Sequence, residues 1–184
     1  MASPSKEENI LRLIFENSPL KHWHFEEVVR NADMTRAATN KWLNKYQREG
    51  LIIRVKEKSR FPYFTSGKDN MAYKSRKKIF ALNKLYECGL ISHLMNLRNA
   101  KTIIIFGSIA KGDWYKDSDI DIFIFGSAEG FDKHKYENKI GYDIELHVFA
   151  GRREIRNIES GLMNNVINGY LVKGKIQDVM VDLK

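Results

Sequence analysis

The sequence predicts an α+β chain with two domains, because hydrophobic periodicity and charge both change near its middle. Residues 7–50 place apolar side chains at helical spacing, whereas from residue 101 onward short apolar runs of strand length follow one another. Residues 1–100 contain 19 Lys and Arg against 10 Asp and Glu, and residues 101–184 contain 12 against 13. We expect an N-terminal domain at residues 1–70, a connecting helix or helix pair at 71–98, and a small mixed-sheet domain at 99–184.

The composition is that of a folded globular protein, with 43% hydrophobic residues and three prolines among 184 residues. Cys88 is the single cysteine, which excludes an internal disulfide and a metal cluster built on cysteines. The first ten residues have no apolar core of signal-peptide length. No apolar run approaches the ~20 residues of a membrane span. We therefore expect a soluble cytoplasmic protein.

The basic first half begins with three helical segments and a hairpin. Apolar spacing predicts helices over residues 7–17 and 24–34. A third helix is predicted to start at Thr35, a suitable N-cap, and to end at Gly50. Residues 51–67 then form two short strands around a charged tip.

This order resembles a winged helix-turn-helix domain over residues 6–66. The resemblance rests on the element pattern, and it implies that the third helix enters the DNA major groove while the hairpin contacts the backbone. Winged helices also serve as protein-docking modules, and a Lys-rich surface can simply be solvated. The side chains implied in nucleic-acid contact are Arg36, Lys41, Lys45, Arg48, Lys56, Lys58 and Arg60.

The second half predicts strands at 102–106, 119–125 and 142–149, and an amphipathic helix at 153–170. The second of these strands begins with Asp119 and Asp121, which alternation places on one face about 6.6 Å apart. Two such carboxylates can bind a pair of divalent ions ~3.5–4 Å apart, as in two-metal phosphoryl transfer. Mg²⁺ is the expected ion, because it prefers oxygen ligands and bridges to phosphates.

The third strand and a glycine turn supply further polar groups. Asp143, Glu145 and His147 alternate onto one face of residues 142–149, so either acid can complete a three-carboxylate site. His147 could contact a metal or the acceptor from this face, but we expect it to be a hydrogen-bonded structural residue. Gly107 allows close backbone approach to a ligand. Ser108 and Lys111 follow it and offer donors for phosphate, although the spacing is not that of a P-loop.

Residues 106–125, FGSIAKGDWYKDSDIDIFIF, resemble the signature of the DNA polymerase beta nucleotidyltransferase superfamily. The similarity is greatest to its minimal nucleotidyltransferases, whose usual form is GSxARGxxxxxSDIDL. Lys111 stands where that form has Arg, which removes the bidentate phosphate contact. The other matching positions are Gly107, Ser108, Ala110, Gly112, Ser118, Asp119, Ile120 and Asp121.

The resemblance implies an Mg²⁺-dependent enzyme that transfers a nucleoside monophosphate, with AMP from ATP the expected case, to an unidentified acceptor and releases pyrophosphate. It implies that Asp119 and Asp121 bind two metal ions. Asp143 is the expected third catalytic and metal-binding acid, and Glu145 is the second choice. Gly107, Ser108 and Lys111 are implied to hold the triphosphate.

Two alternatives belong to other functional classes. One is a DNA-binding transcriptional regulator whose nucleotidyltransferase domain senses nucleotide without turnover. The other is an antitoxin that modifies or neutralises a partner protein, as some minimal nucleotidyltransferases do. The expected partners are therefore an NTP, DNA or RNA at the winged helix, and a protein acceptor.

Overall fold

The computed structural model describes residues 6–180. Its internal contacts divide the chain into two compact units, Met1–Lys77 and Lys78–Lys184. The division falls inside one helix, Met71–Glu87. None of the helices in the described part of the chain has the length and apolar character needed to span a bilayer.

The first unit combines three helices with a small antiparallel sheet. The sheet has the strand order β1-β3-β2, in which the hairpin strands pair with each other and β1 pairs with the outer side of β3. The two-residue strand β1 was not predicted from the sequence. The elements are α1 (Lys6–Glu16), β1 (Trp23–His24), α2 (Phe25–Asn31), α3 (Arg36–Arg48), β2 (Ile52–Val55), β3 (Tyr63–Ser66) and the first part of α4 (Met71–Glu87).

Helix α3 has the predicted boundaries and the predicted inner face. The Thr35 side chain accepts a hydrogen bond from the Ala38 backbone N–H at 3.3 Å, which caps the first turn. Gly50 follows the helix with φ of 72°, a conformation that favours glycine. Leu43 and Tyr46 are buried, so the polar side of α3 is left for solvent.

The second unit is a mixed sheet with helices. Its first helix after α4 begins at Leu90 and is preceded by the N-cap residue Gly89, which has φ of 84°. The elements are α5 (Leu90–Met95), β4 (Ala100–Phe106), α6 (Gly107–Lys111), β5 (Ile120–Gly126), α7 (Lys133–Ile140), β6 (Ile144–Phe149), α8 (Arg152–Arg156), α9 (Ser160–Ile167), β7 (Tyr170–Lys173) and a 3₁₀ turn at Ile176–Asp178.

The sheet order is β6-β5-β4-β7, with β5 and β6 parallel and the other pairs antiparallel. Strand β5 is an interior strand with an apolar sequence, and Ile120, Ile122 and Ile124 are fully buried. The opposite face of the sheet packs in a core with α8, α9 and the residues after β7. The buried members of this core are Ile104, Phe106, Phe123, Phe125, Ile155, Val166 and Val179. The α+β class predicted from the sequence is thus confirmed.

The prediction of one helix over residues 153–170 was wrong. The segment forms two short helices, α8 and α9, and its last residue, Tyr170, begins strand β7. Gly169 explains the change of direction, because a Cβ there would lie 2.5 Å from Ile104 Cγ2 and 2.7 Å from the Ile105 carbonyl oxygen. The chain passes so close to β4 that it leaves the helix and pairs with that strand.

Helix α7, which lies between β5 and β6, was also not predicted from the sequence. Its capping signals are nevertheless present in the sequence. The Asp132 side chain accepts a hydrogen bond from the Lys135 N–H at 3.0 Å, and Gly141 ends the helix with φ of 72°. Glu137 accepts a hydrogen bond from the Ile144 N–H at 3.0 Å and so links α7 to the start of β6.

Candidate active site

The two predicted aspartates lie where β5 begins. Asp119 is exposed and directly precedes the strand, and Asp121 is its second residue. The Asp121 side chain is 23% exposed, so its carboxylate is mostly withdrawn from water. Strand alternation directs both side chains to the same face of the sheet. The acidic pair is therefore located at the edge of a buried core.

Gly107 makes room for the Asp121 carboxylate. It follows β4 with φ of 69°, and a Cβ at this position would lie 1.9 Å from Asp121 Oδ2. Phe106, the preceding residue, is the antiparallel partner of Asp121 in the sheet. The glycine of the Gly-Ser turn thus sits directly against an acid that lies 14 positions later, which only a residue without a side chain permits.

Strand β6 places a second acid beside Asp121. The parallel register aligns Asp121 with Glu145 and Phe123 with His147. Asp143 lies one residue before the strand and is exposed, and its carbonyl oxygen accepts a hydrogen bond from the Ile120 N–H at 2.8 Å. The register therefore brings Glu145 level with Asp121 and leaves Asp143 level with Asp119.

Three potential metal ligands converge on this face. Asp121, Glu145 and His147 each offer one ligand atom, and these three atoms lie within 4.8 Å of one another. His147 Nε2 is 3.6 Å from Glu145 Oε1 and 3.8 Å from Asp121 Oδ1. Both distances exceed hydrogen-bond length, so the groups face each other across a space.

The electrostatics of the cluster favour a cation. Burial raises the pKa of the Asp121 carboxyl, and the negative charge of Glu145 raises that pKa further. His147 lowers the pKa of Asp121, and the charge of Asp119 raises it by a smaller amount. A carboxylate with a raised pKa is one whose charge the surrounding protein does not offset. A divalent ion would supply the missing positive charge.

The donor set suits such an ion. Carboxylate oxygens of Asp119, Asp121 and Glu145 are hard ligands of the kind that Mg²⁺ and Mn²⁺ accept. His147 Nε2 is a buried atom without a hydrogen-bond partner within residues 6–180, and it faces the two inner carboxylates. An unpaired buried nitrogen is costly, and a metal ion would satisfy it.

The residues predicted to hold the triphosphate lie in α6, the short helix between β4 and β5. Ser108 is partly buried in α6 and Lys111 is exposed at its last position. Gly112 ends the helix with φ of 79°. Gly107, Ser108 and Lys111 thus form one short turn whose first residue contacts Asp121.

The predicted nucleic-acid contacts lie on the surface of the first unit, and some are engaged within the protein. Arg36 pairs with Glu26, and Lys45 Nζ lies 3.8 Å from Glu49. Arg60 pairs with Glu57 at 3.3 Å. The exposed members of the predicted set are Arg36, Lys41, Arg48, Lys56, Lys58 and Arg60.

An open groove of about 520 Å³ lies between α3 and the hairpin and was not foreseen from the sequence. Asn40 and Asn44 line it from α3, and Arg54 and Phe61 line it from the hairpin. Phe61 is 85% exposed. The four-residue spacing of the two asparagines is the sequence signal that could have indicated this surface.

A comparison with protein families matches residues 89–175 to the model described as polymerase beta, nucleotidyltransferase. The match contains the glycine turn, both aspartates of β5 and all of β6. It begins after the first unit, whose element order it does not test. No curated protein matches the chain.

Solved structures give weak global similarities. One is the crystal structure of a toxin–antitoxin with AMP-PNP, 24% identical, with a TM-score of 0.35, covering 53% of this chain and 76% of that one. A mutant form of the toxin–antitoxin MntA-HpeT is 22% identical, with the same TM-score and coverage. A second MntA-HpeT mutant is 24% identical with a TM-score of 0.34, covering 53% and 75%.

Proposed function

Because residues 89–175 belong to the polymerase beta nucleotidyltransferase family, we propose that the chain transfers AMP from ATP to an acceptor with the help of Mg²⁺. The observation that carries the proposal is the alignment of Asp121 with Glu145 on parallel strands, against the Gly107 turn. This arrangement puts the carboxylates and the glycine turn at one end of the sheet. In the reaction an acceptor oxygen bonds to the α-phosphorus, and the bond to the leaving pyrophosphate breaks.

The acids have distinct roles in this proposal. Asp119 and Asp121 hold the divalent ions, which offset the charge that develops on the phosphates. Glu145 is the third carboxylate: it shares with Asp121 the ion nearer the acceptor and helps to remove the proton of the acceptor hydroxyl, because it lies level with Asp121 and its side chain is 58% exposed. Asp143 is the alternative for this role, since it lies level with the more exposed Asp119.

The glycine turn holds the nucleotide. Gly107 and Ser108 offer backbone N–H groups and a hydroxyl close to the acids, and Lys111 contributes a positive charge one turn later. A lysine binds phosphate as a point charge rather than through a two-pronged contact. We therefore assign most of the orientation of the triphosphate to the turn and the metal ions.

The first test is nucleotide binding by the full chain, because it requires no knowledge of the acceptor. We expect Mg²⁺ with ATP at a hundred times its Kd to stabilise the chain by ~2.7 kcal/mol, which raises the Tm by roughly 5–10 °C. Asp119→Asn is expected to lose the rise. Asp117→Asn, an exposed acid in the preceding turn, is the matched control and keeps it. A chain that shows no rise with any of the four NTPs contradicts the proposal.

The second test follows the phosphate that is transferred. ATP labelled at the α-phosphate is incubated with the chain, Mg²⁺ and a cell lysate, and label is sought in the protein, RNA and small-molecule fractions. We expect label from the α-phosphate in one fraction and none from the γ-phosphate, which leaves with pyrophosphate. Incorporation from the γ-phosphate would instead indicate a kinase.

A second proposal concerns the first unit, which we assign as a winged helix that contacts nucleic acid. It is supported by the element order α1-β1-α2-α3-β2-β3 and by the exposed polar face of α3. Asn40, Lys41, Asn44 and Arg48 are all exposed there. An amide side chain can form two hydrogen bonds to adenine, at N6 and N7 on its major-groove edge, and cations bind phosphate. Binding of a duplex by the full chain, with a Kd that rises steeply with salt, would support this assignment.

A further inference from the structure

His147 lies in the second unit on the same strand face as Glu145, and its role is not explained by packing alone. Its ring is held against Phe106, with the centroids 5.1 Å apart. Nε2 is buried and makes no hydrogen bond to any residue of the described chain. The expectation of a hydrogen-bonded structural histidine therefore does not hold for this atom. A buried polar atom without a partner costs free energy unless a ligand satisfies it.

The distances around Nε2 are somewhat longer than those between groups that share an ion. Nε2 lies 3.6 Å from Glu145 Oε1 and 3.8 Å from Asp121 Oδ1. Ligands bonded at ~2.1 Å are separated by about 3.0 Å along an octahedral edge and by about 3.4 Å along a tetrahedral one. The three ligand atoms lie within 4.8 Å of one another, so rotation of the three side chains has to bring them closer to complete a shell around one ion.

We propose that His147 Nε2 is a nitrogen ligand of the divalent ion held by Asp121 and Glu145, and that it makes this position selective for a first-row transition ion over Mg²⁺. The inference rests on the proposed function, to which it adds the metal preference. Imidazole nitrogen is a favoured ligand of transition ions, whereas Mg²⁺ prefers an all-oxygen shell. Without the imidazole, the site would lose the part of this selectivity that the nitrogen ligand supplies.

Two other roles for His147 give different results when the ring is removed. If the ring only packs against Phe106, its replacement affects folding and changes the affinity for both ions alike. If the ring is a cationic partner of Asp121, its removal leaves two unpaired carboxylates and strengthens the binding of both ions. A nitrogen ligand alone predicts a loss confined to the transition ion.

The experiment measures Mn²⁺ and Mg²⁺ binding to the full chain without nucleotide. Titration calorimetry gives the Mn²⁺ Kd, and competition against Mn²⁺ gives the Mg²⁺ Kd. For His147→Gln we expect the Mn²⁺ Kd to rise at least about tenfold, since even outer-sphere partners of metal ligands contribute that much. The Mg²⁺ Kd should change less than about threefold. His134→Gln is the control, because His134 is an exposed histidine of the same unit.

A spectroscopic measurement separates ligation from folding. Pulsed electron paramagnetic resonance of bound Mn²⁺ detects ¹⁴N coupling from a coordinated imidazole, which we expect in the wild type and in His134→Gln but not in His147→Gln. Absence of ¹⁴N coupling in the wild type, or equal changes in both Kd values, overturns the inference. So does a wild-type chain that binds no Mn²⁺ without nucleotide.

The results for His147 can be told apart from a failure of the proposed nucleotidyltransferase function, because the two are tested by different measurements. The stabilisation by Mg²⁺ and ATP depends on Asp119 and is measured separately. If that stabilisation is present while His147→Gln leaves the Mn²⁺ Kd unchanged, the nucleotidyltransferase assignment stands and the nitrogen ligand is refuted.

Discussion

Asp121→Asn should change the stability of the second unit in opposite directions with and without ligand. Without metal, the Asp121 carboxylate is mostly buried beside Glu145, and burial together with that charge raises its pKa. The ligand oxygens of the two acids lie within 4.8 Å of each other. Two charges at that separation repel by roughly 1 kcal/mol at the dielectric constant of water, the limit used here because the pair is partly exposed. Asparagine keeps the shape and removes the charge. We therefore expect Asp121→Asn to stabilise the metal-free chain by about 1 kcal/mol.

The same substitution should remove a pH dependence. A carboxyl whose pKa is higher in the folded than in the unfolded state binds protons preferentially when folded, so stability falls as pH rises from the unfolded pKa through the folded one. Above that window the full cost of the charge is present. The metal-free wild type should therefore lose this contribution on going from acid to neutral pH, and Asp121→Asn should not.

With Mg²⁺ and ATP the wild type should be more stable than Asp121→Asn, the reverse of the order expected without metal. Ligand at a hundred times its Kd adds ~2.7 kcal/mol to the wild type and nothing to a variant that has lost the site. The assay is the Tm in EDTA and in Mg²⁺ with ATP, where a difference of 1 kcal/mol corresponds to about 2–8 °C for units of this size range. Asp117→Asn should behave as wild type in both buffers. If Asp121→Asn melts below the wild type in EDTA, the carboxylate is a structural partner of His147, and the reasoning fails.

Three further predictions address the remaining parts of the proposals. Glu145→Gln should abolish transfer of label from the α-phosphate and Asp143→Asn should retain it, whereas the reverse result would make Asp143 the third acid. Gly107→Ala should lower the free energy of unfolding by about 1–2 kcal/mol, because an L residue is strained at positive φ. It should also remove the Tm rise with Mg²⁺ and ATP, since the new methyl group displaces Asp121; an unchanged rise would refute that contact. If α3 binds duplex DNA, Lys41→Gln should reduce the slope of log affinity against log salt by about one, and an unchanged slope would exclude a phosphate contact there.

The sequence was most informative where a local motif determines local geometry. The Gly-Ser turn and the Asp-x-Asp strand were recognised because their spacing is short and their neighbours are apolar. Thr35 and Gly50 were recognised as the ends of α3 for the same reason, since capping depends on residues within a single turn. These features required no knowledge of which strands pair.

The third acid could not be chosen from the sequence because it depends on register. Asp143 and Glu145 lie on the same face of one strand, and a shift of two residues would exchange their places beside Asp121. The observed pairing of Ile120 with Ile144 brings Glu145 and His147 to the aspartate. Strand β7 escaped prediction for a related reason: its partner, β4, lies more than 60 residues earlier in the chain.

Comparison with other acids of the second unit separates structural carboxylates from the one that requires a ligand. A hydrogen bond from Lys101 lowers the pKa of Asp178, and one from the Ile144 N–H lowers the pKa of Glu137. Both carboxylates are therefore stabilised by the fold itself. The charged groups that shift the pKa of Asp121 are instead two acids and a histidine. Folding places the Asp121 charge there at a cost, which the divalent cation of the proposed function would offset.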